Sequence, residues 1–466
     1  MIRIFRVFIP TSVVALLISE VILLVMCFVV ALVSATEVDP EFVLLYDGGG
    51  PRIAIAVLSI LLGLYFQDLY TDLRIRSRIF LFQQIMMAVG LAFIIQAMST
   101  YVNPTLILPR WVMIYASGLI LVLLPAWRIL FLRLVLTSLH APAMLLLGSS
   151  PVLAEISKRM QERIEMGYRV VGYLDDGATG DGPRPDMGAV PCLGQLSDLR
   201  AVVAAQNPER IVVGMAERRA RLPVYELLDL RLSGIHVEEA ASLYESCFGR
   251  VSTRDLRPSQ LVFSSELGPS PNSVAVQQFY SFLVALIGGI AALPLMLLAA
   301  LLVRLTSKGP VLYRQTRVGL NGKHISVLKF RSMFVDAEVR TGAVWASKND
   351  PRITGIGKYL RKFRIDELPQ FWNVLRGDMS FVGPRPERPE FVQALSEKIP
   401  FYRQRHCVKP GLTGWAQINH KYGDTIEDTI TKLEYDLYYI KHISFSLDMY
   451  IILNTLKTVL LGRGAQ

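Results

Sequence analysis

The chain has 466 residues, of which 52% are hydrophobic and 19% charged, and its mean hydropathy is +0.39. This excludes a disordered chain and argues against a wholly water-soluble one, and the length allows roughly two to four domains. The net charge of +10 points to nucleic acid, an anionic membrane face or phosphorylated substrates, while four scattered cysteines (Cys27, Cys192, Cys247, Cys407) without zinc or redox spacing argue against a disulfide framework or a cysteine metal site.

Four apolar stretches, about 9–34, 52–68, 79–100 and 111–136, approach or exceed the roughly 20 residues that cross a bilayer. The first is too long for a cleavable signal and lacks a small-residue cleavage site. Orientation follows from the loop charges. Arg3 and Arg6 precede the first span, and Glu37, Asp39, Glu41 and Asp47 follow it. Arg74, Arg76 and Arg78 precede the third span, and Arg128 and Arg133 close the fourth. The alternation predicts an inside N-terminus, four crossings, and a cytoplasmic location for everything after about residue 140.

The next segment, 141–263, has a soluble composition. AMLLLGSS (143–150), YRVVGYLDD (168–176) and PERIVVGM (208–215) read as strands. They alternate with helical stretches and predict a small parallel Rossmann-like sheet. The turn Gly148-Ser149-Ser150-Pro151 sits where a dinucleotide fingerprint would lie, but GxGxxG is missing. A degenerate nucleotide-binding or regulatory module and a structural spacer both remain open, and the module could mediate a homodimer. Residues 264–276 read as a linker.

A fifth apolar run covers 279–303 and is followed by Arg304, Lys308, Arg314 and Arg317. A crossing would put that basic segment outside, against the loop charges. Pro294 lacks an N–H and clashes with the preceding turn. The part from 279 to 293 spans only about 22 Å as a helix. The expectation is a helix broken at Pro294 that enters one leaflet and returns; the alternative is an ordinary kinked span.

Residues 304–466 carry 26 Lys and Arg against 15 Asp and Glu, so the basic excess lies here. With no groove-reading module and a bilayer nearby, anionic lipid heads and phosphorylated substrates fit better than nucleic acid. Arg314 and Arg317 in YRQTRVG suit phosphate oxygens, or a solvated turn. Alternation places Lys329 and Arg331 on one strand face. In LRKFRIDELPQ, Pro369 suits a first helical turn, so Asp366 and Glu367 fall at or near an N-cap. The basic residues Arg361, Lys362 and Arg364 just upstream are expected to lower the Asp366 pKa and attract phosphate. Adjacent carboxylates also suit a divalent cation. Gly383-Pro384-Arg385-Pro386 fixes the backbone around one arginine. Gly411–Asn419 reads as a turn into a packed strand. Gly355–Ile365 and Ile443–Leu461 read as amphipathic helices.

TSKGPVLYRQTRVGLNGKHISVLKFRSM, RKFRIDELPQFWNVLRGDMSFVGPRPE and KPGLTGWAQI, in this order after the Pro-containing apolar run, closely resemble the bacterial sugar transferases, monotopic phosphoglycosyl transferases acting on polyprenyl phosphate. The match covers 277–466, and the whole layout looks like the large exopolysaccharide and O-antigen initiating enzymes. MIRIFRVFIP is similar to the subgroup linked with PEP-CTERM systems. The fold implied is a membrane protein of the α plus α/β class. It has a four-helix transmembrane region (1–140), a Rossmann-like module (141–263), and a mainly helical catalytic domain (277–466) with a re-entrant helix.

The resemblance also implies transfer of a sugar 1-phosphate from a UDP-sugar to undecaprenyl phosphate, with release of UMP, on the cytoplasmic face of the bacterial inner membrane. It makes Asp366 the nucleophile that forms an aspartyl phosphosugar and Glu367 its partner. Both are magnesium ligands in this reading, with Lys329, Arg331 and Arg385, then Arg314 and Arg317, as phosphate-binding cations. Partners are then the UDP-sugar, undecaprenyl phosphate and membrane lipids, and not nucleic acid. Leu293-Pro294 stands where many relatives have Ser-Pro, which leaves the bend geometry open. Direct attack by lipid phosphate is a second enzymatic reading, and a membrane scaffold or nucleotide-sensing partner is the non-enzymatic one.

Overall fold

The computed structural model describes the chain except residues 1, 5–6, 36–39, 46–47, 72, 74, 76, 107, 139–141, 164–165, 176, 178–185, 216–221, 255–267, 269–270, 336, 338–349, 421–424 and 462–466. Much of the charge used for orientation (Arg6, Glu37, Asp39, Asp47, Arg74, Arg76) and residues 264–267 and 269–270 of the expected linker lie outside the described residues.

A short antiparallel hairpin, β1 (Ile2–Ile4) and β2 (Val7–Ile9), leads into α1 (Thr11–Ala35). The short α2 (Pro40–Leu45), then α3 (Gly49–Phe66), α4 (Arg78–Val102) and α5 (Arg110–Ser138) follow. The four long helices match the predicted spans closely, because the apolar run and the helix stop at the same charged or turn-forming residues. They pack around Leu24, Phe28, Leu64, Ile85, Ile120 and Leu124, and leave Ile18, Met26, Leu58, Ile94 and Val122 exposed. Apolar residues on all sides are the mark of helices solvated by lipid. Inside this bundle the Glu20 carboxylate meets Arg128 Nε at 2.6 Å, and Tyr70 donates to it at 2.6 Å.

The middle module is a five-stranded parallel sheet. Its strands are β3 (Ala143–Leu147), β4 (Arg169–Asp175), β5 (Cys192–Gln195), β6 (Arg210–Val213) and β7 (His236–Glu239), in the order β5-β4-β3-β6-β7. This is the doubly wound order of a Rossmann-like sheet, with β3 at the centre. All five residues of β3 are buried because helices cover both faces. Those helices are α6 (Pro151–Glu162), α7 (Leu199–Gln206), α8 (Val224–Leu232) and α9 (Ala240–Phe248).

The C-terminal part begins with α10 (Pro271–Thr306), so the end of the expected linker is helical. The expected break at Pro294 is not a gap. The helix runs through the proline for 36 residues, about 54 Å, and loses one N–H without ending. It lies along the domain that follows. Near its start, Gln277 donates to Tyr439 at 2.6 Å and to Asp448 at 2.8 Å. At its middle Gly288 and Gly289 face the ring of Phe371, and near its end Ala299 and Val303 pack on Phe330 and Leu360. Its opposite face, including Phe279, Ile287, Ile290, Leu297, Leu301 and Leu305, is exposed and apolar. With α1, α3, α4 and α5 it makes five helices, among the described residues, that are long and apolar enough to cross a membrane.

Beyond α10, β8 (Leu312–Val318) and β9 (His324–Phe330) form an antiparallel hairpin with Tyr313 opposite Lys329. Then come α11 (Gly355–Lys362), α12 (Gln370–Leu375), β10 (Ser380–Val382) and α13 (Pro389–Lys398). The last elements are β11 (Gly411–Thr413), α14 (Trp415–Asn419), α15 (Ile426–His442) and α16 (Phe445–Leu460). The expected turn into a packed strand at Gly411–Asn419 is instead a short strand, Gly411–Thr413, followed by a helix. β10 and β11 pair in parallel. They approach so closely that a Cβ on Gly411 would sit 2.1 Å from the Gly383 nitrogen, so only glycine fits there.

Both flanking regions dock on this domain. Trp415 stacks on Tyr438 at 5.5 Å and donates to Gly249 O at 2.7 Å, while Lys441 reaches Glu245 at 2.8 Å. On the side of the apolar helices, Lys457 of α16 donates to Asp68 at 2.5 Å and to Tyr65 O at 2.6 Å, at the end of α3.

Candidate active site

The site is built where β9, the turn before α12 and the turn after β10 converge. Asn373 of α12 fixes the first two. Its Oδ1 accepts from Leu328 N at 2.9 Å and its Nδ2 donates to Ser326 O at 2.7 Å. A wholly buried amide satisfied on both ends locks the helix to the strand in one register. That register sets Lys329 against the carboxylate pair.

Asp366 and Glu367 lie in a 3-10 turn, Ile365–Glu367, three residues ahead of Gln370. They thus lie near the N-cap, as expected, but not at it: Pro369, expected in the first turn, takes the N-cap position of α12, a helix of only six residues. Arg364, just before them, has φ +54°, a left-handed conformation that costs a non-glycine residue of order 1 kcal/mol. It turns the Arg364 side chain back over the pair.

The two carboxylates are 7% and 8% exposed, but their partners differ. Glu367 Oε1 accepts from Arg385 Nη2 at 2.5 Å and from Lys329 Nζ at 3.0 Å, and Oε2 from Arg364 Nη1 at 3.4 Å. Burial works against its charge, but Arg385 and Lys329 outweigh it and hold its carboxyl well below the usual range. No hydrogen bond or ion pair reaches the Asp366 carboxylate among the described residues. Burial first, then the Glu367 charge, push its pKa up to about 6 against the pull of Lys329, Arg361 and Arg385. The expected lowering at Asp366 is therefore reversed. The nearby cations spend their hydrogen bonds on Glu367, whose negative charge then opposes ionisation next door. The result is one carboxylate committed to three cations and one left free, half-ionised near pH 6.

The other predicted cations divide. Arg385 and Lys329 are brought to the pair. Arg331 is not: β9 ends at Phe330, the alternation stops there, and Arg331 Nη2 donates instead to Ser307 Oγ at 2.7 Å and Ser307 O at 2.8 Å. Arg317 Nη1 donates to Pro386 O at 3.1 Å, which makes it a brace for the Arg385 turn. Arg314 is exposed on β8, opposite Leu328. Pro294 lies inside α10. Arg361, named upstream only as part of a basic run, donates from Nε to Ser332 Oγ at 2.9 Å and acts on Asp366 through its charge. Its five-residue spacing from Asp366 carries no periodic signal, since a loop lies between.

Comparison with known proteins bears on this site directly. The family model for bacterial sugar transferases matches residues 272–462, and that for a CoA-binding domain matches 65–221. A UDP-glucose:undecaprenyl-phosphate glucose-1-phosphate transferase of Klebsiella pneumoniae is 34% identical over 323 residues, 68% of each chain. The chain belongs to the bacterial sugar transferase family. The UDP-N-acetylgalactosamine-undecaprenyl-phosphate N-acetylgalactosaminephosphotransferase of Aeromonas hydrophila is 42% identical over 283 residues, 61% of this chain. The undecaprenyl-phosphate glucose phosphotransferase of Komagataeibacter xylinus is 32% identical over 344 residues, 70% of this chain. This chain covers 62% of the length of each of these last two relatives. The first family match contains the whole carboxylate site. The second begins near the end of α3 and so takes in two of the apolar helices as well as most of the parallel sheet.

Proposed function

We propose that this membrane protein transfers a sugar 1-phosphate from a UDP-sugar to undecaprenyl phosphate, with release of UMP, on the cytoplasmic face of the bacterial inner membrane. The product is a lipid diphosphate sugar, the start of an exopolysaccharide or O-antigen unit. The observation that carries the reading is the division of labour in the pair: Glu367 gathers Lys329, Arg364 and Arg385, while Asp366 beside it keeps its oxygens free.

The chemistry follows from that geometry. At neutral pH Asp366 is ionised. One of its oxygens attacks the sugar-bearing phosphorus of the donor. The P–O bond to UMP breaks, and UMP leaves with the electron pair. An oxygen of the lipid phosphate then attacks the same phosphorus, and the Asp366 carboxylate is released unchanged. Lys329 and Arg385 lie where they can share their charge between Glu367 and the equatorial phosphoryl oxygens as these gain charge. Burial at 7% exposure limits water, which would otherwise hydrolyse the acyl phosphate.

Magnesium fits the donor set. This ion takes one or two carboxylates plus substrate phosphates rather than a protein cage, and among the described residues no cluster of three or more His, Cys, Asp or Glu exists. Asp366 would hold it through its oxygens, with Glu367 joining only through Oε2, where the Arg364 contact is long at 3.4 Å, and it would neutralise charge on the diphosphate.

The course of α10 supports a dip into one leaflet. Residues from Gln277 to Val303, about 39 Å of helix, touch one and the same domain, whereas a helix crossing upright would leave that domain behind at one end. The exposed apolar face then enters lipid, with the basic surface at the phosphate level.

The test is UMP release by purified protein in detergent with undecaprenyl phosphate, magnesium and a panel of UDP-sugars. UDP-glucose and UDP-N-acetylgalactosamine come first, as the donors named for the relatives. Release with one donor, and its loss in Asp366→Asn, is expected. Silence across the panel from folded protein refutes the reading. Release that survives Asp366→Asn refutes the covalent step alone.

A further inference from the structure

Arg385 grips Glu367 from a turn that has unusual difficulty holding itself. Pro384 and Pro386 flank it, and neither has an N–H. The turn is therefore fixed through its carbonyls. Pro384 O accepts from Gly411 N at 2.9 Å, Arg385 O from Arg405 Nη2 at 3.0 Å, and Pro386 O from Arg317 Nη1 at 3.1 Å.

The middle of these three bonds comes from a side chain with no freedom. Arg405 is 6% exposed and Asp436 of α15 is 2% exposed. Arg405 donates to Asp436 Oδ2 from Nε at 3.1 Å and approaches it from Nη2 at 2.7 Å, and Nη1 donates to Tyr402 Oη at 2.9 Å. A buried ion pair alone is weak evidence for stability, since apolar residues of equal volume often do as well. This one is oriented on three sides, and its remaining bond lands on the backbone of the residue that holds the carboxylate pair.

Resting on the function proposed above, we propose that Arg405, aimed by Asp436, is a positioning residue that sets the Arg385 guanidinium against Glu367. Arg405 touches neither carboxylate. It acts through the Arg385 carbonyl, by removing the freedom of the turn to rotate Arg385 away. A planar fork is required, because one guanidinium must reach a carboxylate, a phenol and a carbonyl at once. Lysine keeps the charge facing Asp436 and loses that geometry.

The experiment is a double-mutant cycle on UMP release, with wild type, Arg405→Lys, Arg385→Lys and the double variant, at saturating lipid and varied donor. Melting temperatures are read beside it. Arg405→Lys is expected to lower kcat/KM for the donor about tenfold in the wild-type background and less than about twofold in the Arg385→Lys background. Full multiplication of the two losses overturns the proposal, as does an Arg405→Lys variant with wild-type kinetics. Where Arg385→Lys is too slow to measure, Arg405→Lys is read against its melting temperature: a loss of kcat/KM with melting unchanged supports the proposal, and a loss that only accompanies a fall in melting temperature overturns it. UMP release by wild type keeps the function standing whatever Arg405 does; silence of wild type overturns both.

Discussion

Asparagine in place of Asp366 should make the protein inactive and more stable, with a stability gain that depends on pH. The carboxyl is 7% exposed, and its pKa stands at about 6. An aspartate in an unfolded chain titrates near 3.9, so folding raises the value by about two units, or about 3 kcal/mol. Below about pH 4 both states are protonated and the charge has no effect. Between about pH 4 and pH 6 the unfolded chain releases its proton first, so wild-type stability falls as pH rises, and above about 6 the deficit is constant. The amide of the variant has no proton to lose. Asp366→Asn should therefore melt close to wild type near pH 4.5 and above it at pH 7.5, by at most about 6–12 °C for a domain of this size. Thermal unfolding in detergent at a series of pH values measures this. A gain that is the same at every pH, or a variant less stable than wild type at pH 7.5, would show that Asp366 is not held ionised against its surroundings.

Glu367→Gln should do the reverse. The Glu367 carboxyl is well below its usual range, so its stabilisation is present above about pH 4.3 and lost as pH falls through the folded value. Removing it leaves Lys329, Arg364 and Arg385 without the carboxylate that accepts from all three, and a loss of about 3–5 kcal/mol in unfolding assays near neutral pH is expected. UMP release by wild type should fall on the acidic side with an apparent pKa near 6, as Asp366 takes up its proton; a limb near pH 4 in the pH–rate profile would contradict that assignment. In the helix bundle, Arg128→Met should lower the melting temperature by leaving Glu20 unpaired, and Glu20→Met in the same chain should restore most of it. Failure of the second change to rescue the first would mean that the pair holds something besides each other.

Elements whose cause is local were legible in the sequence. The four long apolar helices end within about three residues of the predicted stretches, because the apolar run and the helix stop at the same charged or turn-forming residues. The parallel sheet followed from three apolar β-rich runs at βαβ spacing, although its weaker strands β5 and β7, with little apolar content, carried no such signal. The adjacent Asp366 and Glu367 stood out by themselves, and so did Arg385 between two prolines. Pro294 does not end the helix: a proline removes one hydrogen bond, and the packing of Gln277 to Val303 on one domain holds the helix through it.

What only the tertiary structure decided is which charge faces which. Residue order shows a crowd of candidate cations near two carboxylates and predicts that Asp366 is drawn toward ionisation. The fold gives Lys329, Arg364 and Arg385 to Glu367, turns Arg331 away to Ser307 where the strand ends, and sends Arg317 to a backbone carbonyl. It also brings in Arg405, 20 residues from Arg385 and far along the chain from β9, which no periodicity connects to the pair. Spacing along a chain is one-dimensional, whereas electrostatic energy depends on distance and burial in three. The sequence therefore determined that a carboxylate pair among cations would exist, and the packing of β9, α12 and the proline-flanked turn determined that Glu367 would be the one to accept from the cations.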